Sequence, residues 1–172
     1  FFRFRADFKA GATSGKWNKT IGLSDEAEKP FGTDQPAINL RACASIMITQ
    51  QEGGSIASTP SICLYSVSGL YYDITPGVWY NCWEVIDLNT NLVEVYFNAV
   101  AGGSASDPTT IKMQRVINGI AYDTFGLTNY ADGNPLTGFF VHSGTSDDGS
   151  PVFIDDFYVD LNGANFNNPL AI

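Results

Sequence analysis

Positive charge is scarce in this chain. Its 172 residues carry 9 Lys plus Arg against 18 Asp plus Glu, a formal net charge of −9. An acidic surface repels phosphate instead of releasing its counterions, so nucleic acid is not an expected partner. There is 1 His, so a hydrolytic Ser-His-Asp arrangement must run through His142, and no Gly-x-Ser-x-Gly turn precedes it. Cysteine is sparse as well. Cys43, Cys63 and Cys82 contain no CxxC pair, which argues against a zinc site of four ligands at short spacings. Two readings stay open: buried thiols packed as small hydrophobes, or a Cys43–Cys63 bridge between neighbouring strands that leaves Cys82 over. No apolar run is long enough to cross a bilayer as a helix, and a membrane partner is not expected. The chain begins at Phe1 without a Met and without a leader, already inside a strand-like run, so the natural chain is expected to extend upstream.

What is abundant is apolar and aromatic. Hydrophobic residues make up 44% and aromatics 13%, which excludes a disordered chain and suits one globular domain over residues 1–172 with a sizeable core. Few Lys and many Asn, Thr, Ser and Gly point to a secreted or cell-surface protein. The apolar period is two almost everywhere and no window reads as an amphipathic helix. Phe2, Phe4, Ala6 and Phe8 alternate with Arg3, Arg5, Asp7 and Lys9, which predicts a strand with one apolar and one charged face. Further strands are expected at Thr20–Leu23, Ala37–Thr49, Ile62–Val67, Leu70–Ile74, Trp79–Asp87, Leu92–Val100, Ile111–Val116, Ala121–Leu127, Phe139–His142 and Val152–Leu161. Between them, Gln50–Pro60 reads as a Gly- and Ser-rich turn, Leu88–Asn91 as a hairpin loop and Asn118-Gly119 as the strongest short hairpin turn. Many short strands separated by turn signals predict an all-β fold, an antiparallel sandwich or barrel.

Two stretches carry a family resemblance. Trp79-Tyr80-Asn81-Cys82-Trp83-Glu84-Val85-Ile86-Asp87, followed by Leu92-Val93-Glu94-Val95-Tyr96, resembles the tryptophan-led hairpin of laminin G-like and pentraxin-like domains. Phe153-Ile154-Asp155-Asp156-Phe157-Tyr158-Val159 resembles their closing strand, and Phe1–Lys9 their early aromatic strand. The wider group is the concanavalin A-like lectin/glucanase superfamily. The resemblance implies a jelly roll of two curved antiparallel sheets. It also implies a carbohydrate-binding module of a secreted bacterial polysaccharide-degrading protein, with glycoside hydrolases, polysaccharide lyases and extracellular structural or adhesion domains as alternatives on the same fold. It further implies a structural calcium ion near the closing strand, where Asp155 and Asp156, with Asp147, Asp148 and the carbonyls of Ser143–Pro151, offer hard oxygen ligands.

The residues themselves argue for binding over catalysis. The Glu-x-Asp-x-x-Glu strand of family-16-type glucanases is absent, and Glu84 and Asp87 fall on opposite faces of one strand. Lyase chemistry would need Arg, His and Tyr gathered in order, and no such motif is present. Sugar rings stack their C–H faces on aromatics, and their hydroxyls pair with Arg, Asn and Asp. Arg3, Arg5, Arg41, Trp83, Tyr96 and His142 are therefore the candidate carbohydrate-binding residues. If their faces line one concavity it is basic inside an acidic protein, which favours an acidic polysaccharide or oligosaccharide. Trp79 is expected in the core, and Trp83 is either core or a sugar platform; if it is core, Cys82 and Glu84 face outward. Trp17 and Tyr130, in loops, are platforms or plugs over the sandwich end.

Overall fold

A computed structural model describes residues 1–7, 18–25, 43–52, 55–65, 67, 70–127, 133–143 and 151–170. Among them there is no helix. The strands are β1 (Phe2–Ala6), β2 (Asn18–Ser24), β3 (Ala44–Glu52), β4 (Ser55–Leu64), β5 (Tyr72–Asp73), β6 (Trp79–Asp87), β7 (Leu92–Asn98), β8 (Ile111–Lys112), β9 (Arg115–Ile117), β10 (Ile120–Tyr122), β11 (Phe125–Gly126), β12 (Gly138–Ser143) and β13 (Val152–Asp155). Every pairing is antiparallel.

The first sheet runs β11-β7-β6-β1-β13, with β8 also on β7; the second runs β12-β2-β3-β4-β5. Alternation decides which side chains meet between them. In β1, Phe2, Phe4 and Ala6 are buried while Arg3 and Arg5 are half-buried on the other face. Phe2 and Phe4 lie opposite Cys82 and Tyr80, and Cys82 lies opposite Phe97, so these residues share the inner face. They pack with Ile21, Ile46, Ile48, Ile62 and Leu64 of the second sheet into one core. The fold is an all-β antiparallel sandwich. A fully buried phenylalanine such as Phe4 contributes about 3–5 kcal/mol relative to alanine, so one row of these side chains outweighs any single polar contact described below.

The second sheet is buried on both faces over residues 20–22, 44–49 and 60–64. Thr20, Ser45, Thr49, Ser61 and Cys63 lie on the face away from the shared core and each is at most 4% exposed. By contrast β9 and β10 form a separate two-stranded ribbon whose residues are all exposed. Its turn is the expected Asn118-Gly119, with φ of 51° and 79°, the paired left-handed conformation of a type I′ hairpin.

Several boundaries differ from the sequence reading. Most of the turn expected over Gln50–Pro60 is strand: β3 extends to Glu52 and β4 starts at Ser55, while residues 53–54 lie outside the described residues. The expected strand Ile111–Val116 breaks at Met113-Gln114, where Met113 is fully buried. Val152–Leu161 stops being a strand at Asp155, because Asp156 takes a left-handed φ of 55°. The Cys43–Cys63 bridge does not form, and all three cysteines are buried reduced thiols. Cys63 lies opposite Met47, four positions along from Cys43, roughly 13 Å at strand rise and far beyond disulfide reach. Burial pushes the Cys63 thiol up to about 12, which makes it inert as a nucleophile. The Ala37–Ala42 part of the expected strand lies outside the described residues. The Asn18-Lys19-Thr20 triplet, a glycosylation-acceptor pattern, sits in β2 between β12 and β3.

Gly22 shows how closely β2 and β3 approach. A Cβ there would collide with the Ala44 carbonyl oxygen and with Cβ of Ser45, neither of which is the far end of a flexible chain. Gly22→Ala is expected to destabilise the domain by about 3 kcal/mol, read as a lower denaturation midpoint at unchanged m-value.

Candidate functional site

Four of the six expected binding residues, Arg3, Arg5, Trp83 and Tyr96, share the outer face of the first sheet. They are engaged there with the protein itself. Arg3 pairs with Asp156 at 3.1 Å and Arg5 with Asp7 at 2.9 Å. Both guanidinium groups also lie over the Trp79 ring, at 5.0 and 5.3 Å, and Arg5 lies 4.5 Å from the Phe153 ring centre. Trp79 is therefore on the outer face, held between cations, and not in the core as expected.

Beyond β13 the chain turns back over this face. The left-handed Asp156 breaks the pleat, and the strand-like pairing resumes with Tyr158 N donating to the Phe1 carbonyl at 2.8 Å. Further on, Trp83 Nε1 donates to the Asn167 carbonyl at 3.2 Å, and Phe166 meets Tyr96 edge-on at 5.3 Å. Asn168 is buried and its Nδ2 donates to the Gly103 carbonyl at 2.9 Å. Trp83 is left 2% exposed. It is buried under the tail, so no sugar ring can stack on its face. Tyr96 donates to Glu94 at 2.7 Å beside Lys112, which bridges Glu94 and Asp123 at 2.8 Å each. Burial and the Glu94 hydrogen bond hold the Tyr96 hydroxyl above its ordinary range.

His142 lies in the second sheet, on the outer face with Phe140, so it does not join the other four. Burial and the Lys19 charge hold its pKa below the usual imidazole value. Arg41, Trp17 and Tyr130 lie outside the described residues. The expected single basic concavity is thus not assembled from the described candidates. Asp155 accepts from the Asp156 amide at 2.9 Å and Asp156 is neutralised by Arg3. A cation there would face a guanidinium, so these two carboxylates alone do not make a calcium site. Asp147 and Asp148 lie outside the described residues, and no cluster of three potential metal ligands occurs among the described ones.

One open space reaches between the sheets and also borders Trp83 and Val85 of the outer face. A cleft of about 1000 Å³ is bounded by Phe2 and Ile86 of the first sheet, Gly22 and Leu23 of the second, and residues 135–139 and 157–165. Phe139 and Phe157 meet there at 4.1 Å between ring centres, each about 40% exposed. Phe1 lies 5.2 Å from Trp83 and 6.2 Å from Tyr158, continuing the aromatic wall. Polar groups from Thr137, Asp160, Asn162 and Asn165 line the rest.

Two carboxyls line this space, Asp160 at the exposed tail and Glu84 on the sheet. Glu84 lies opposite Val95 in the β6–β7 ladder, and so on the inner face with Cys82 and Ile86. It does not face outward, as expected if Trp83 were core, because Trp83 is buried on the opposite face by the tail. The side chain keeps some solvent contact, but Oε1 is out of water and has no hydrogen-bond partner. Burial raises the Glu84 pKa to about 7. Asp160 moves the other way: the Asn162 amide and the Asn165 side chain hold its carboxyl below the usual range.

Glu84 was not among the expected site residues, although its register was available. A hairpin joined by Leu88–Asn91 pairs Asp87 with Leu92, and counting back sets Glu84 against Val95, whose face is unambiguously apolar.

No family model matches the chain, and comparison with curated proteins and with solved structures returns no match.

A carboxyl whose folded pKa lies above its ordinary 4.5 favours the fold in its protonated form. That contribution is complete below about pH 4.5 and is lost as pH rises through 7. Glu84→Gln is therefore expected to match the wild type near pH 4 and to be more stable at pH 8, by on the order of 2 kcal/mol. Calorimetric melting of both proteins across this range checks the sign.

Proposed function

We propose that this chain is a non-catalytic carbohydrate-binding domain of a secreted polysaccharide-active protein, and that the glycan lies in the cleft between the sheets. The observation that carries this is the composition of the cleft wall. Exposed Phe139 and Phe157 offer flat apolar surface to the C–H face of a pyranose, while Thr137, Asn162, Asn165 and Glu84 offer hydrogen-bonding groups to its hydroxyls. The outer face of the first sheet is a weaker location, since Arg3, Arg5, Trp83 and Tyr96 already have protein partners. A fold of the concanavalin A-like kind remains part of this proposal, on the sequence resemblance described above.

A hydrolase is the second reading, and one observation favours it. Glu84 and Asp160 line the same cleft with pKa values pushed in opposite directions, which is how an acid and a base are set apart. Against it, Asp160 is exposed, and its two carboxylate oxygens are occupied by the Asn162 amide and the Asn165 side chain.

The test is retention on a panel of immobilised polysaccharides, with product analysis of the flow-through. Retention without new reducing ends or unsaturated uronates is expected. Phe157→Ala should weaken retention about tenfold, with little change in melting temperature, since the ring is exposed. Sugar release that Glu84→Gln abolishes would establish the hydrolase instead, and the absence of retention on every polysaccharide would remove the binding reading.

A further inference from the structure

We infer that the β9–β10 ribbon is a self-association surface, and that its partner is the ribbon of a second copy of this chain, joined antiparallel along the free edge of β10. None of its residues lines the cleft, so the inference goes beyond the proposed function and stands apart from it.

The starting point is a piece of sheet with little support. β9 and β10 pair only with each other among the described residues. All their residues are exposed, and the large apolar ones, Val116, Ile117, Ile120 and Tyr122, are 66%, 42%, 58% and 47% exposed. A two-stranded ribbon is marginal in water, because neither face is covered and both edges are open. This one is fixed at its base, where the Gln114 amide donates to the Tyr72 hydroxyl at 2.7 Å and that hydroxyl donates to the Gln114 carbonyl at 3.1 Å. Beyond that anchor, β-branched and aromatic side chains meet water.

Hairpin geometry says which backbone groups are unused. At a two-residue turn the flanking pair, Ile117 and Ile120, exchanges both hydrogen bonds, and bonded and non-bonded pairs then alternate. Val116 and Ala121 are therefore the non-bonded pair, and their N–H and C=O groups are directed outward from the two edges. An edge is usually blunted by a charge, a proline or a bulge, and Ile120, Ala121 and Tyr122 bring none of these. β9 carries Arg115, so β10 is the edge left open. A second β10 laid antiparallel, with Ala121 opposite its own counterpart, closes two N–H···O bonds across a twofold axis. The same register sets Ile120 of each copy against Tyr122 of the other, an aromatic and β-branched cross-strand pair formed twice.

Charge says why the occupant is a second copy. The chain carries −9, so two copies repel each other over most of their surfaces. Residues 113–122 contain no Asp or Glu and one Arg, a local charge of +1. Arg3, Arg5 and Lys112 are each paired with a carboxylate, whereas Arg115 has no ion-pair partner among the described residues. The ribbon is thus the element through which two acidic bodies approach at least cost, each Arg115 entering the negative field of the other copy. A bilayer fits less well. The outward N–H and C=O groups of Val116 and Ala121 would lose water there without gaining partners, which a second strand supplies. Size sets the strength. The four large apolar side chains present on the order of 400 Å² per copy, the scale of the largest patch on an ordinary monomer. Two such patches stay below the roughly 1,200 Å² of a standard interface, so the dimer is reversible, with a dissociation constant on the order of 100 μM.

Sedimentation equilibrium of the chain from about 10 μM to about 1 mM tests this, and a monomer–dimer equilibrium is expected. Ala121→Pro removes the outward N–H and no bond inside the ribbon, and Ile120→Lys places a charge in the pairing row. Each is expected to weaken dimerisation about tenfold or more at unchanged melting temperature, since both residues are exposed. Val116→Pro, the same change on the other edge, should leave the dimer intact. A chain that stays monomeric at the highest concentration overturns the inference. So does a dimer that survives Ala121→Pro and Ile120→Lys, or one that Val116→Pro breaks as effectively. Co-sedimentation with phosphatidylcholine vesicles that Ile120→Lys abolishes would assign the ribbon to lipid instead. None of these results touches retention on polysaccharides, which is read from the cleft.

Discussion

The pleat of β6 against β7 is the constraint from which the rest of the structure follows. Antiparallel pairing with Asp87 opposite Leu92 sends Tyr80, Cys82, Glu84 and Ile86 to one side and Trp79, Asn81, Trp83 and Val85 to the other. A slip of one residue would put Trp83 between the sheets and Glu84 on the surface. The inner faces of β7 and β1 exclude that alternative. Val93, Val95 and Phe97, with Phe2 and Phe4, are buried as one apolar set, and Trp83 opposite Tyr96 cannot join them. Glu84 thus sits in its apolar site because its neighbours along and across the ladder leave it no other.

The opposite face of β6 solves a different problem. Trp83 is large and apolar on a face that would otherwise meet water, and the tail after Asp156 covers it. Three kinds of contact hold that cover: an indole hydrogen bond to Asn167, an aromatic contact between Phe166 and Tyr96, and the buried Asn168 side chain on Gly103. Beneath, Asn81 donates to Asn98 at 2.8 Å and to the Val100 carbonyl at 2.7 Å, while Asn98 reaches Ser104 and Thr110. These buried amides are partnered, as buried amides must be. The unpaired Glu84 oxygen contrasts with its own strand, where the polar neighbour Asn81 is fully satisfied.

How much of this was legible in the sequence depends on the range of the interaction concerned. Alternation in Phe2–Ala6, the β6–β7 hairpin and the Asn118-Gly119 turn are local, and each appears where residue pattern and turn chemistry put it. The extension of β3 to Glu52 and the start of β4 at Ser55 were hidden, because Gly and Ser in this stretch suggest a turn while cross-strand pairing overrides propensity. The candidate site was misread for a related reason. Arg3, Arg5, Trp83 and Tyr96 do share a face, as parity says, but parity cannot tell an exposed face from one that a distant segment covers. Residues 156–170 supply that cover, and their composition reads as a continued strand followed by loop.

The cleft shares its origin with the cover. The departure of the chain from sheet geometry at Asp156 carries it across Trp83 on one side and leaves Phe157, Tyr158 and Asp160 at the mouth of the sandwich on the other. A regular continuation of β13 would have lengthened the first sheet, with alternate side chains facing the second sheet and closing the gap. At the break Asp tolerates the left-handed conformation, and Arg3 pairs with its carboxylate. One oxygen of the Glu84 carboxyl lacks a partner of the kind that Asn81, Asn98 and Asn168 have found.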